Sequence, residues 1–273
     1  MENLTIEVAG RRWRVAAQGH DLSIPMRFNE AQPTFFGAPA ASERPLAAGS
    51  FVGDVRQGGS CNCSVHTLTP HCNGTHTECV GHITQERLSV RELATRHLSA
   101  ARLVSIEPVP ATAIAERHDS APIAGDFVIT QGALQEALGL ATLADYRALI
   151  VRTLPNDATK LSRNYDGDPP PPYFTAAAMR WIVAQGVDTL VVDLPSIDRA
   201  QDGGRLAAHR IFWGMPPGGV CAAAATRNQA TITEMAFIDN AIADGPYLLN
   251  LQVAPFAIDA APSRPILLPL LPA

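Results

Sequence analysis

Residues 71–82 hold an unusual concentration of side chains that can bind a metal ion. They include three histidines, two cysteines and a glutamate, arranged around Gly74 and Thr75. Imidazole, thiolate and carboxylate are the groups that hold divalent transition metals in proteins. Because glycine tolerates a positive φ, a tight turn at Gly74 can fold side chains from both of its sides onto one ion. The segment therefore predicts a metal site.

The spacing selects candidate ligands but leaves the type of site open. Cys72, His76 and Glu78 are separated by four and two residues, and His82 follows Glu78 by four. In a catalytic site the metal would activate water, and His82 would transfer protons, as histidine side chains do near neutral pH. The alternative is a closed structural zinc site, although the sequence lacks the usual Cys-x-x-Cys pair. The donors of that structural site would come from Cys61, Cys63, Cys72, His76 or Cys79.

The composition is that of an ordinary globular protein. Of the 273 residues, 47% are hydrophobic and 17% are charged, and the formal net charge is −5. This negative balance argues against a nucleic-acid partner. The apolar runs are too short to cross a bilayer, the first residues lack a secretory-signal pattern, and the five cysteines do not indicate a disulfide framework. We therefore expect a cytoplasmic protein with reduced thiols and no membrane partner.

Hydrophobic periodicity predicts a mixed α/β fold. A hairpin is expected over residues 4–16, followed by a long surface loop over residues 31–50. Apolar runs at residues 148–153 and 189–192 flank an amphipathic helix at 175–184, and this crossover implies neighbouring parallel strands. The other predicted elements are strands at 51–55, 61–68, 102–106, 127–129, 247–253 and 265–271, and a helix at 131–138.

Residues 74–82 resemble the signature of a known family. Gly74, Thr75 and His76, followed by Glu78 and His82, are similar to the His-x-Gly-Thr-His-x-Asp-x-Pro-x-His motif of the cyclase family. The members of this family are metal-dependent hydrolases that include bacterial kynurenine formamidase and isatin hydrolase. The similarity continues through Asp21-Leu22-Ser23, Asp193-Leu194-Pro195-Ser196-Ile197-Asp198, Ala208-His209-Arg210, Thr233-Glu234 and Ser263-Arg264.

The resemblance implies a fold, a site and an assembly. Residues 1–273 would form one mixed α/β domain with the family's swivelling β/β/α barrel-like fold, assembled as a homodimer or homotetramer. His82 would act as the acid and base beside a site for one or two divalent ions. The implied metal ligands are Cys72, His76, Glu78, His209 and Glu234.

This chain departs from the family motif at three positions. Cys72 stands where the family has histidine, Glu78 where it has aspartate, and Val80 where it has proline. A thiolate is a softer ligand than an imidazole, so Cys72 predicts zinc rather than manganese. His71 lies one residue from the ligand position and could replace Cys72 only through a changed turn.

The resemblance implies a metal-dependent hydrolase of a non-peptide C–N bond that uses metal-activated water. Its substrate would be a small cyclic amide or an N-acyl or N-formyl amide. A lyase or dehydratase of the same fold is one alternative, since a metal and a histidine base also suit proton abstraction beside a carbonyl. The other alternative is a non-catalytic relative that binds a metal or a small ligand.

Overall fold

The computed structural model describes residues 4–116, 124–167 and 169–273. The strands in these ranges are β1 (Thr5–Val8), β2 (Arg11–Val15), β3 (His20–Asp21), β4 (Ser42–Pro45), β5 (Ala47–Ala48), β6 (Phe51–Val52), β7 (Ser64–Thr67), β8 (His76–Glu78), β9 (Leu98–Ile106), β10 (Val109–Pro110), β11 (Phe127–Ile129), β12 (Ala148–Thr153), β13 (Tyr173–Phe174), β14 (Thr189–Val192), β15 (Thr231–Glu234), β16 (Gly245–Val253) and β17 (Ala260–Pro272). The α-helices are α1 (Val90–Leu93), α2 (Gln131–Leu138), α3 (Ala176–Ala184) and α4 (Ala207–Trp213). None of these helices is long and apolar enough to cross a membrane.

Seven strands close into a barrel. Their order around its wall is β17, β16, β9, β12, β14, β15 and β8, and β8 pairs back onto β17. The four strands from β9 to β15 in this order are parallel neighbours, whereas the pairings that involve β8, β16 and β17 are antiparallel. Because the barrel closes at β8, this three-residue strand is paired on both sides and presents no free edge.

The barrel wall packs against an apolar core on each of its faces. Side chains alternate along a strand, so Ile150 and Val191 point into the barrel while Val151 and Val192 point outward. The outer core also contains apolar side chains of α2, α3 and α4. Full burial of a Val, Leu or Ile side chain stabilises the folded protein by about 1.5–3 kcal/mol. Because the central strands are buried on both faces, their sequences are continuous apolar runs.

Polar side chains replace apolar ones on the outer face of β8 and β15. In the antiparallel register Ile232 lies opposite Glu78, and Glu234 lies opposite His76. Directly opposite residues share a face of the sheet, and Ile232 belongs to the outer core. His76, Glu78 and Glu234 therefore lie outside the barrel, on the side where α4 packs.

The predicted crossover is confirmed. β12 and β14 match the two apolar runs and pair in parallel, and α3 connects them. The backbone N–H of Ala178 donates to Oγ1 of Thr175 over 3.1 Å, which caps the start of α3, and Gly186 follows its end with φ 79°. The predicted hairpin forms as β1 and β2, and α2 spans the predicted helix.

The prediction of a surface loop over residues 31–50 was wrong in part. β4 pairs with β7 and β5 pairs with β6 within or beside this segment. The side chain of Phe35 is buried against Tyr165 and Met235. The Ala, Pro and Gly content of the segment suggested an exposed loop. Local composition cannot reveal pairing or packing partners that lie far along the chain, such as β7 and Tyr165.

Candidate metal centre

β8 supplies two candidate ligands from one face. His76 and Glu78 are two residues apart on an extended strand, so their side chains project in the same direction, and both are completely buried. Thr77 points the other way, where its hydroxyl hydrogen-bonds that of Thr233 over 2.7 Å and fixes the register with β15. Gly74, with φ 151°, makes the turn before the strand, and its carbonyl accepts a hydrogen bond from Nδ1 of His76 over 2.9 Å.

His209 reaches the same place from α4. Oδ1 and Oδ2 of Asp198 accept hydrogen bonds from the backbone N–H groups of Ala208 (2.7 Å) and His209 (3.1 Å), which satisfies donors at the start of the helix. The same carboxylate accepts a hydrogen bond from Nδ1 of His209 over 2.6 Å. The other ring nitrogen, Nε2, therefore faces Glu78 and lies 2.9 Å from its Oε1.

β15 supplies a second carboxylate to this cluster. The Oε2 atom of Glu234 lies 3.6 Å from Nε2 of His76, and its Oε1 lies 3.6 Å from Nε2 of His209. The backbone N–H of Ile197 donates to Oε1 over 2.8 Å and holds the side chain in place. The structure thus brings His209 and Glu234, which are far along the sequence, together with His76 and Glu78 of β8.

His71 and Asp259 complete the cluster on its other side. Asp259 directly precedes β17, whose first residue, Ala260, lies opposite Glu78. The Nε2 atom of His71 lies 2.8 Å from Oδ2 of Asp259, and its Nδ1 atom lies 3.1 Å from Oε2 of Glu78. The His71 ring therefore bridges two carboxylates, as the His209 ring does.

His82 lies at the rim of the cluster. It belongs to the 3₁₀ turn Val80–Ile83, and 28% of its side chain is exposed. Its Nε2 atom is 3.9 Å from Oε2 of Glu78, and its Nδ1 atom is 3.5 Å from Oδ2 of Asp259. The predicted proton-transfer residue is thus close to the buried carboxylate and still accessible to solvent.

The charges of these groups perturb one another. Burial raises the pKa of Glu78, but the positive charges of His82 and His209 outweigh it and hold that pKa well below its usual range. Burial lowers the pKa of His209, yet Glu78 and the hydrogen bond to Asp198 raise it well above its usual value. For His71, the carboxylates of Asp259 and Glu78 likewise overcome burial and raise the pKa to about 10. In the metal-free protein these shifts favour protonated His71 and His209 beside a charged Glu78.

The predicted ligand Cys72 belongs to none of the candidate donor groups. Its thiol is buried, and burial together with the charges of Asp166 and Glu234 raises the pKa of this thiol. Within the described part of the chain, each group of three or more potential donors at metal-binding distance consists of histidines and acidic residues. Ligation by Cys72 stays a prediction from the sequence, and the geometry offers His71 in its neighbourhood.

The cysteines do not form a candidate zinc site in the described part of the chain. Cys61 and Cys63 are exposed. Cys79 is buried, with its thiol 3.6 Å from the backbone carbonyl of Leu88, and burial raises its pKa to about 12. These thiols do not join the candidate donor groups found among the residues that the structure describes.

The donor atoms of the cluster fit a divalent metal ion. In the described structure, Nε2 of His76, both carboxylate oxygens of Glu78 and Nε2 of His209 are buried and contact one another or neighbouring groups as ion pairs, but none of them makes a well-aligned hydrogen bond. An unsatisfied buried polar atom costs about 1–3 kcal/mol, so several that face one another indicate a common partner. The donor atoms of His71, His76 and Glu78 all lie within 4.8 Å of one another, as do those of Glu78, His82 and His209. Such separations are compatible with bonds of about 2.0–2.2 Å to one ion.

Comparison with known proteins identifies the family. Residues 20–199 match the sequence model of the Cyclase family, described as “Putative cyclase”. The chain belongs to the cyclase family. The matched part includes the cyclase motif around β8, while His209, Glu234 and Asp259 lie beyond it. No curated protein matches this cyclase-family chain.

Solved structures show the same fold. An isatin hydrolase bound to the product analogue thioisatinate superposes with a TM-score of 0.60 at 12% identity, covering 93% of this chain and 92% of the other. Isatin hydrolase A from Labrenzia aggregata gives 0.60 at 14% identity, with 92% and 93% covered. A predicted metal-dependent hydrolase from Bacillus stearothermophilus gives 0.56 at 15% identity, with 92% and 98% covered. The predicted mixed α/β, barrel-like cyclase fold is therefore confirmed.

Sequence reasoning missed the two carboxylates that orient histidines in this cyclase site. Asp198 ends a segment that resembles one in the family, and the Ala208-His209 pair follows it in the same order. The sequence therefore contained a signal that Asp198 could lie beside His209. Asp259 offered no such signal, because it is a single acidic residue before a strand and far from the motif. Only the pairing of β17 with β8 brings it to the cluster.

Proposed function

We propose that this protein is a metal-dependent hydrolase of a non-peptide C–N bond, acting on a small cyclic amide or an N-acyl or N-formyl amide. The observation that carries the proposal is the set of buried donor atoms that converge without well-aligned hydrogen bonds beside the partly exposed His82. A divalent metal in such a site lowers the pKa of water and polarises a carbonyl.

The residues of the chain would divide the work by position. His76 and His209 are oriented by the Gly74 carbonyl and by Asp198, and the carboxylates of Glu78 and Glu234 supply negative charge to balance the ion. His82 would accept a proton from the attacking water and deliver it to the leaving nitrogen. Cleavage of an amide needs such a donor, because the nitrogen leaves poorly as an anion.

A cavity that none of the candidate ligands lines, but that reaches Arg199, the residue after Asp198, supports a small organic substrate. It has a volume of about 500 Å³ and is lined in part by Phe35, Phe36, Tyr165 and Arg199. Phe35 and Tyr165 pack against Met235, the residue after the candidate ligand Glu234. Pockets of about 300–1,000 Å³ with apolar walls and a few polar groups are typical of small-molecule sites. The two phenylalanines would therefore contact an apolar part of the amide.

The identity of the metal and the assembly belong to the same proposal. The preference for zinc over manganese came from the Cys72 thiolate, whereas the imidazole and carboxylate donors of the cluster suit both metals. Metal analysis of the purified protein decides between them. A homodimer or homotetramer and a cytoplasmic location also stay predictions, and light scattering tests the first.

The proposal is tested with His76→Ala and with His66→Ala as its matched control, since His66 is an exposed residue paired with Glu43. Wild-type protein and the control should carry one or two metal ions per chain and hydrolyse at least one compound in a panel of lactams and N-formyl aromatic amides. His76→Ala should lose both the metal and the turnover. Full metal occupancy after His76→Ala, or metal-loaded wild type without turnover on the panel, would contradict the proposal.

A further inference from the structure

We propose that His71, oriented by Asp259, is the metal ligand that takes the place of Cys72 in this chain. The inference rests on the proposed function for the presence of a metal, and it adds one ligand and one positioning residue outside the positions of the family motif. It follows from three observations on the histidines, the turn and the last barrel strand.

The first observation is a pattern shared by three histidines around Glu78. Each has one ring nitrogen engaged by a fixed acceptor: the Gly74 carbonyl for His76, Asp198 for His209 and Asp259 for His71. Each presents its other nitrogen to the buried carboxylates. Metal-binding histidines almost always donate their second N–H to such a carbonyl or carboxylate, which fixes the tautomer and the ring orientation.

The second observation is the turn that precedes the motif. Pro70–Cys72 is a 3₁₀ turn, in which consecutive side chains are about 120° apart, so His71 and Cys72 cannot point the same way. The turn is fixed by the backbone N–H of Thr69, which donates to Oδ1 of Asn73 over 2.6 Å, and by Nδ2 of Asn73, which donates to the carbonyl of Pro39 over 3.0 Å. With the turn held in this position, Nδ1 of His71 lies 3.1 Å from Oε2 of Glu78.

The third observation is the rigid placement of Asp259. Its carbonyl accepts a hydrogen bond from the backbone N–H of Cys79 over 3.0 Å, and the next residue already pairs with β8. Its carboxylate is therefore anchored by the barrel wall at 2.8 Å from Nε2 of His71. A carboxylate placed in this way holds the imidazole of His71 with Nδ1 toward Glu78.

Cobalt(II) substitution distinguishes the two candidate ligands, because a thiolate ligand adds an intense near-ultraviolet charge-transfer band that imidazole and carboxylate lack. We expect the wild-type cobalt protein to lack this band, and Cys72→Ser to bind Zn²⁺ with nearly unchanged affinity. His71→Gln should weaken Zn²⁺ binding by about 100-fold or more, since even the loss of a group behind a ligand costs about 10–100-fold. A thiolate band in the wild type that disappears in Cys72→Ser would overturn the inference.

A second variant tests position 71 by the appearance of the charge-transfer band, so the result does not depend on a loss of metal binding. In the Cys72→Ser background, His71→Cys places a thiol at position 71. If this position reaches the metal, the cobalt protein acquires the charge-transfer band. Stoichiometric cobalt without that band means that position 71 is outside the coordination shell, and the inference fails.

A double-mutant cycle tests the positioning role of Asp259. Asp259→Asn should weaken Zn²⁺ binding by about 10–100-fold in the wild type and have little further effect in His71→Gln. Equal effects in both backgrounds would mean that Asp259 acts independently of His71. If the wild type binds no metal at all, the proposed function itself fails, whereas a metal held by Cys72 contradicts only the present inference.

Discussion

The carboxylate of Asp198 lies 2.6 Å from Nδ1 of His209 and determines which ring nitrogen faces Glu78. The same carboxylate accepts backbone hydrogen bonds at the start of α4. One side chain therefore sets both the direction of the helix and the tautomer of the histidine that it carries. This arrangement joins the fold and the candidate chemistry at a single residue.

Replacing Asp198 should weaken metal binding without removing a ligand. In Asp198→Asn the amide can donate to Nδ1, which favours the tautomer with the proton on Nε2, toward the metal. We expect a loss of Zn²⁺ affinity of about 10–100-fold, measured by competition with a chromophoric chelator. Asp157→Asn is the control, because Asp157 is exposed and caps a distant turn. Equal affinities in the two variants would contradict this role of Asp198.

Glu78 should be essential both to the metal site and to the metal-free fold. Glu78→Gln removes the buried charge that faces His71 and His209. Breaking a buried ion pair costs about 3–5 kcal/mol, and we expect the lower end, about 3 kcal/mol, because the histidines can release their protons. Urea unfolding in the presence of a chelator measures this loss. Glu78→Asp keeps the charge and should retain more of the stability, and a stable Glu78→Gln would refute the ion-pair reading.

His82 should affect turnover far more than metal content. It lies at the rim, 3.9 Å from Glu78, and general acid–base catalysis typically contributes about 10²–10⁴-fold. His82→Gln should therefore lower kcat on the best amide of the panel by about that factor while metal occupancy stays at the wild-type level. Parallel loss of metal and activity would instead make His82 a ligand. His66→Gln provides the control for a surface histidine.

The metal-free protein should lose stability as the pH rises from 6.5 to 10. The pKa of His71 is raised from 6.5 to about 10, so its charge stabilises the fold fully below pH 6.5, and this contribution is lost as the pH rises to about 10. The raised pKa of His209 acts in the same direction. Thermal unfolding with excess chelator, compared between wild type and His71→Gln, measures the slope. If the stability of the wild type falls with pH no more steeply than that of His71→Gln, His71 does not make this contribution.

Lys160 should stabilise the wall of the barrel at the end of β14. Its ammonium group is buried and donates to Asp193 over 2.7 Å and to the carbonyl and hydroxyl of Thr153 over 2.8 and 2.9 Å. Lys160→Met leaves the completely buried Asp193 without its cation, and we expect a loss of about 3–5 kcal/mol. Urea unfolding measures it, with Lys160→Arg retaining part of the stability. A change below about 1 kcal/mol in Lys160→Met would disprove the assignment.

The sequence predicts best those elements whose structure depends on nearby residues. β12 is a continuous apolar run, and α3 has Thr175 at its start and Gly186 after its end, so both follow from local patterns. β8 is different, because His76, Thr77 and Glu78 are polar and too few to indicate a strand. Its conformation comes from pairing with β15 and β17, which no local pattern contains.

The same distinction applies to the candidate site. The order of the family's motifs along the chain selected four candidate ligands, and the structure brings them together: His76, Glu78, His209 and Glu234. Family order could not predict the direction of His71, because it depends on a 3₁₀ turn fixed by hydrogen bonds to Asn73. A shift of one residue in such a turn changes which side chain faces the centre.

Barrel closure by β17 has a consequence for biosynthesis. Asp259 is translated 188 residues after His71, and β17 follows it. At about 5–20 residues per second the ribosome needs roughly 10–40 s for that distance. Throughout this interval the nascent chain carries the motif without the strand that lies against it and without the carboxylate that orients His71. Loading of an ion with His71 held by Asp259 therefore follows translation of the motif by many seconds.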